Sequence, residues 1–308
     1  MTLLTNTARG VYVISCTPFH PDGAVDLDSL DRVTDFYIEK GATGLTILGM
    51  MGEAPKLTQE ESRLVARHVI ARAGKVPVVV GVSAPGLAAI TELSHSVMDM
   101  GAAGVMIAPP SSLRTDAQIK GYFHQACGAA GADVPVVLQD FPLATSVQID
   151  TGLMLKLFEE LPQIVMLKHE DWPGLAKITA LRKAEKAGAR RVAILCGNGG
   201  IFLPEEVARG ADGAMTGFAY PEMLAQVVDL VQAGEIDRAQ DIFDAYLPLV
   251  RYEQQPGAGL AVRKYVLARR GAIASAALRA PGAPLAAEAE AEILRLIARL
   301  ETRLKELG

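Results

Sequence analysis

Gly101-Ala102-Ala103-Gly104 is echoed by Gly41-Ala42-Thr43-Gly44 and by Gly210-Ala211-Asp212-Gly213. Each copy stands where an amphipathic stretch stops and a short apolar run begins. The first glycine suits the left-handed backbone that ends a helix, and the second lets the following strand start in close packing. Working outward, apolar runs at 11–15, 45–48, 76–82, 104–108, 134–138, 164–168, 193–196 and 213–216 read as eight strands. Stretches such as 27–40, 59–73, 87–100 and 117–130, lying between them, carry apolar residues at three- and four-residue spacing, as amphipathic helices do. Eight such units predict an α/β fold, a (β/α)8 TIM barrel. A doubly wound sheet is the rival, but no GxGxxG follows the first strand. The alternation ends after the eighth strand. Residues 221–233, 235–252 and 260–270 read as helices, then a Pro/Gly/Ala connection at 277–284 leads to an amphipathic helix over 286–307. The chain is expected to divide into a barrel, 1–220, and a C-terminal helical extension packed on it, 221–308. In the last helix the stripe Ile293, Leu296, Ile297, Leu300, Leu304 reads as core or subunit packing rather than a membrane face.

Composition narrows the function classes. The 308 residues suit one large α/β domain, and 50% hydrophobic content is enough for a sizeable core. A net charge of -5 without a basic patch argues against nucleic acid as a partner. Cys16, Cys127 and Cys196 are odd in number and far apart, which argues for a reducing compartment rather than a disulfide framework. No CxxC or HExxH occurs, so no metal site is expected. No apolar segment reaches membrane-spanning length, and residues 1–10 lack an apolar signal core. A cytoplasmic protein with no membrane partner is the expectation.

The active site of a barrel lies at the C-terminal ends of its strands. The sixth strand, Ile164-Val165-Met166-Leu167-Lys168, ends on a lysine that is followed by His169-Glu170-Asp171. An amine desolvated by apolar neighbours becomes a nucleophile toward carbonyls, so Lys168 is the candidate imine-forming residue. Its plainer alternative is an ammonium snorkelling into water. Strand alternation puts Glu170 on the same side as Lys168, where it serves either as a proton shuttle beside an imine or as a simple ion-pair partner. The turn Gly49-Met50-Met51-Gly52 offers backbone amides to a carboxylate or is an ordinary tight connection. Gln139 and Asp140 are pocket lining or loop caps. Gly197 and Asn198 open a glycine-rich turn after the seventh strand, and Thr216 ends the eighth.

These pieces together resemble the dihydrodipicolinate synthase / N-acetylneuraminate lyase family over roughly residues 10–284. The matching segments are Thr17-Pro18-Phe19 with Asp22-Gly23, Gly49-Met50-Met51-Gly52-Glu53 where the family has Gly-Thr-Thr-Gly-Glu, the lysine strand, Cys196-Gly197-Asn198 and Arg279-Ala280-Pro281. The resemblance implies a barrel with C-terminal helices, usually a homotetramer. It also implies an imine between Lys168 and a 2-oxo acid with no separate cofactor.

The chain also departs from the family pattern. Gln139 stands where the family carries a proton-relaying tyrosine, Met50-Met51 replace the threonine pair, and Pro110-Ser111 stand in place of tyrosine. The synthases' arginine has no counterpart in Leu143-Ala144-Thr145. Lysine-pathway synthesis and sialic acid cleavage are therefore disfavoured. A branch without that tyrosine, and with glutamate two residues after the lysine, is similar to the 2-keto-3-deoxy-L-arabonate dehydratases of pentose catabolism. It implies a lyase, a Schiff-base hydro-lyase that makes 2,5-dioxopentanoate. Lys168 and Glu170 would be catalytic. Gly49, Met50, Met51, Gly52, Gln139, Asp140, Gly197, Asn198 and Thr216 would contact a small-molecule 2-oxo sugar acid. The alternatives are a class I aldolase releasing pyruvate from such an acid, and a non-catalytic 2-oxo-acid-binding protein.

Overall fold

The structure, a computed structural model, describes residues 2–172 and 174–308. Met1, the first residue of the expected barrel segment, lies outside the described residues, as does Pro173. Eight parallel strands close into a barrel in sequence order, with β8 pairing back to β1. They are β1 (Gly10–Ile14), β2 (Gly44–Ile47), β3 (Val78–Gly81), β4 (Gly104–Ile107), β5 (Val136–Asp140), β6 (Ile164–His169), β7 (Ala193–Cys196) and β8 (Gly213–Ala214). β3 and β5 begin later than their apolar runs because Pro77 and Pro135 have no N–H to give a ladder.

The connecting helices are α1 (Leu27–Glu39), α2 (Gln59–Ala73), α3 (Leu87–Met100), α4 (Asp116–Ala130), the short α5 (Pro142–Thr145), α6 (Thr151–Glu160), α7 (Leu175–Lys186), α8 (Leu203–Ala208) and α9 (Pro221–Gln232). Beyond them lie α10 (Ile236–Glu253), α11 (Gly259–Arg269) and α12 (Ala287–Glu306). Capping boxes at Thr58–Glu61 and Thr115–Gln118 start α2 and α4. The three echoed glycines do sit in left-handed backbone, with φ of 92° at Gly41, 98° at Gly101 and 101° at Gly210.

α9 packs against α8, β1 and β8 and so completes the ring of helices around the barrel. The expected boundary after residue 220 cuts through that ring. We propose instead that the extension begins with α10, on which α11 and α12 pack. Ile293 and Leu300 of the α12 stripe are buried, and Leu296, Ile297 and Leu304 pack partly buried against the same core. Among the described residues no helix is long and apolar enough to cross a membrane.

Two apolar layers hold the barrel. Val13, Leu45, Ile47, Val80, Val105, Leu138 and Leu167 face the helices, while Ile14, Val79, Met106, Val137, Met166 and Leu195 fill the interior. β6 changes phase between these layers. Val136 pairs with Ile164, yet Val137 pairs with Met166, so Val165 is one residue more than β5 supplies. Ile164 faces outward and Met166 inward. A bulge of one residue reverses which side chains point inside. Without it, alternation counted from Ile164 would put Lys168 among the helices.

Between β7 and α8, burial pushes the Glu206 carboxyl up to about 8, against a smaller opposing pull from the Cys196 thiol. The native state then holds a proton that the unfolded chain releases near its ordinary value of 4.5. This contribution to stability is complete below about pH 4.5 and is lost as pH rises toward about 8. Replacing Glu206 by Gln, which stays neutral, should leave the melting temperature near pH 5 little changed and raise it relative to wild type at about pH 8. Parallel thermal melts across that range check this, and equal slopes for both proteins would refute the assignment.

Candidate active site

Beyond the bulge, β6 carries Lys168, and Glu170 just past its end, into the mouth of the barrel and turns His169 outward. Lys168 Nζ lies 2.9 Å from Glu170 Oε1, and both residues are buried, 5% and 6% exposed. Gln139, paired with Lys168 across β5 and β6, donates from Nε2 to the same Oε1 at 2.7 Å. Glu170 is held through its backbone as well. Its N–H donates to the Asp140 carbonyl at 2.9 Å, and Asn198 Nδ2 donates to its carbonyl at 3.0 Å. With Oε1 engaged twice, Oε2 has no hydrogen-bond partner among the described residues.

Lys168 and Glu170 line a cavity of about 180 Å³. Met50, Met51, Gln139, Asn198 and Thr216 line it too. Gly49 and Gly52 shape the turn rather than the wall: Gly52 donates to the Gly49 carbonyl at 3.0 Å and its own carbonyl accepts from Thr17 Oγ1 at 2.7 Å. Leu48 and Glu53, on either side of the turn, hold positive φ of 55°. Such strain gathers where surroundings over-determine the backbone. Neither the Met50 nor the Met51 amide donates to any group among the described residues. Both are therefore available to an oxyanion.

Glu53 anchors the turn. Its carboxylate pairs with Lys264 at 2.6 Å and Lys56 at 2.8 Å and accepts from the Arg279 N–H at 3.1 Å. The Arg279 guanidinium grips Glu61 at 2.6 Å through both nitrogens, holding that carboxyl down to about 2. It also donates to the Gly23 carbonyl at 2.8 Å. The scattered motifs of the sequence meet here.

Two further expected contacts, Asp140 and Gly197, lie off the wall. Asp140 is no wall of the cavity. Gln139 faces in, so the next residue faces out. Asp140 is fully buried behind the strand, paired with Lys177 at 2.8 Å, and Lys177 also pairs with Asp171 at 2.7 Å. Burial raises the Asp140 carboxyl to about 6, with Lys177 opposing. The neighbouring His169 ring is pushed by burial to about 4, so it is neutral, and its Nε2 meets the Gly174 carbonyl at 3.1 Å. This cluster clamps β5 to β6 from outside. Gly197 likewise supplies space rather than a contact, since a methyl there would stand 2.2 Å from Glu170 Cγ and 2.5 Å from Oε2. Sequence reasoning missed Ile14, Phe141, Gly199, Gly217, Gln254 and Arg263 as lining. Gln254 and Arg263 come from the C-terminal extension, and no motif announced them. A larger open hollow of about 610 Å³ adjoins through Gln254, between Trp172 and α12. Among the described residues no cluster of His, Cys, Asp or Glu is placed to hold a metal ion.

The sequence profile described as the dihydrodipicolinate synthetase family matches residues 7–300. The chain belongs to this family. It is an enzyme, a lyase, with the family's closed barrel and additional C-terminal helices. The crystal structure of a dihydrodipicolinate synthase from Rhodopseudomonas palustris superposes with a TM-score of 0.96 at 55% identity, covering 97% of this chain and 100% of that one. L-2-keto-3-deoxyarabonate dehydratase from Azospirillum brasilense is 30% identical over 299 residues, 95% of this chain and 94% of its own. A 4-hydroxy-tetrahydrodipicolinate synthase from Methanococcus maripaludis is 31% identical over 247 residues, 79% of this chain and 82% of its own.

Gly197→Ala tests the placement of Glu170. The new methyl must displace the carboxylate while leaving the apolar layers intact. Turnover is expected to fall by about 10²- to 10⁴-fold, the usual worth of a positioned acid–base group, with little change in melting temperature. Turnover equal to wild type would mean that Glu170 tolerates displacement.

Proposed function

We propose that this enzyme is a Schiff-base dehydratase that converts 2-keto-3-deoxy-L-arabonate to 2,5-dioxopentanoate. The observation that carries the reading is the Lys168–Glu170 pair, 2.9 Å apart and braced by Gln139, in a cavity that no tyrosine lines among the described residues. Retro-aldol cleavage needs a base at the C4 hydroxyl proton, the role the family's tyrosine fills. Dehydration needs a base at C3 and an acid at the departing hydroxyl, and one carboxylate can do both in turn.

Lys168 Nζ attacks C2, water leaves, and the iminium acidifies C3. Glu170 removes the C3 proton to give an enamine. The enamine expels the C4 hydroxyl, and Glu170 returns the proton so that water departs. Loss of a C5 proton, tautomerisation to the aldehyde and hydrolysis of the imine release the product and restore Lys168. The balance is the loss of one water. The free Met50 and Met51 amides hold the C1 carboxylate. Gln139 keeps the Glu170 carboxylate turned toward the imine. No cofactor beyond the covalent imine is needed. The proposal includes assembly as a homotetramer, implied by the resemblance, and a cytoplasmic setting, in keeping with three free, buried thiols.

Incubation of the purified protein with 2-keto-3-deoxy-L-arabonate, followed by mass spectrometry, tests this. A product lighter by one water, absent with Lys168→Ala, is expected. Pyruvate with glycolaldehyde would make it an aldolase, and full turnover by Lys168→Ala would remove the imine.

A further inference from the structure

Arg263 is an unusual residue for the wall of a small cavity. It is 2% exposed and arrives from α11, outside the barrel. Its Nε donates to Glu253 Oε1 at 2.5 Å and its Nη2 to the Gly217 carbonyl at 2.6 Å, while Nη1 has no partner. Glu253 Oε2 is turned away to accept from the Ala219 N–H at 3.2 Å. The guanidinium stands against the segment that follows β8 only because residue 217 lacks a side chain; a methyl there would lie 2.0 Å from Nη1. A buried cationic N–H without an acceptor carries the full cost of its lost hydration, and the planar fork of an arginine holds it in a fixed direction. Arg263 lines the same cavity as Lys168, Glu170 and Thr216. Gln254, the residue after Glu253, also lines it, and its side chain makes no hydrogen bond among the described residues. The C-terminal helices thus close the site with unused polar groups.

We propose that Arg263 Nη1 donates to a hydroxyl or carbonyl oxygen of the substrate beyond C3, which makes Arg263 a specificity-determining residue for oxygenated 2-oxo acids over short ones. This rests on the reading of Lys168 as the imine lysine. The C1 carboxylate has its own donors in the Met50 and Met51 amides, so Nη1 serves the other end of the molecule. The Glu253–Arg263 pair is neutral as a unit and orients the fork without adding charge.

The test is reductive trapping of the full-length enzyme with two probes, pyruvate, which has no oxygen beyond C2, and 2-keto-3-deoxy-L-arabonate. The readout is the ratio of their half-saturating concentrations, sugar acid over pyruvate. Arg263→Met alone would strand a buried carboxylate, so it is paired with Glu253→Gln; Arg263→Lys is the second variant and keeps Glu253 partnered. The ratio should rise about 10- to 100-fold in the double variant, the worth of one hydrogen bond to a charged group. It should rise in Arg263→Lys as well, because a lysine presents no second fork nitrogen. Trapping by pyruvate reports that the variants are folded. An unchanged ratio, whether both probes weaken together or neither does, overturns the proposal while leaving the imine standing. Wild-type trapping by pyruvate but not by the sugar acid overturns both this inference and the substrate reading. Trapping by neither overturns the imine and the inference with it.

Discussion

The extra residue in β6 is the constraint on which the site depends. Val165 has no counterpart in β5, and from Met166 onward the strand runs in phase with Val137, Leu138, Gln139 and Asp140. That phase decides every later side chain. Lys168, Glu170 and Gln139 point into the mouth, while Asp140 points out to Lys177 and His169 to the Gly174 carbonyl. A strand has a period of two, so one added residue exchanges its faces. A buried ion pair gives little net stability, since desolvation offsets the attraction. The apolar layers on the two faces of the barrel wall carry the stability.

A second constraint ties the mouth of the barrel to the C-terminal chain. Glu53 leaves the β2 turn in left-handed backbone and meets Lys264, which is fully buried, and the backbone of Arg279. Removing one partner of such a buried pair typically costs about 3–5 kcal/mol. The turn that presents two free amides is thereby fixed by residues more than 200 positions away in sequence. Arg263 and Glu253 form a similar link on the β8 side. The helices beyond the ring are part of the site's walls, not an ornament on a finished barrel.

The barrel was legible because its signals are local. Glycine ends a helix by its own backbone freedom, as Gly41, Gly101 and Gly210 show, and apolar runs mark buried parallel strands. Lys168 and Glu170 were legible as a charged pair two residues apart at a strand exit. The bulge was not, because five successive residues of which four are apolar carry no mark of which ones face inside. Asp140 could have been placed correctly by carrying the alternation on from Gln139. Gly197 could be singled out as a glycine but not assigned a use, since its neighbour Glu170 comes from another strand. Arg263 and Gln254 had no local signal at all. In a helix that also carries Lys264 and Arg269, an arginine reads as surface until the fold brings it against Gly217.

In the proposed mechanism Glu170, rather than a tyrosine, moves the proton at C3 of a Lys168 imine. Exchange of the methyl protons of pyruvate in deuterated water isolates that step from dehydration and from product release. Wild type should wash deuterium into C3. Glu170→Gln should still be trapped reductively at Lys168 but exchange at least about 100-fold more slowly, in line with the worth of a general base. Exchange at the wild-type rate in that variant would contradict the account and place the base elsewhere.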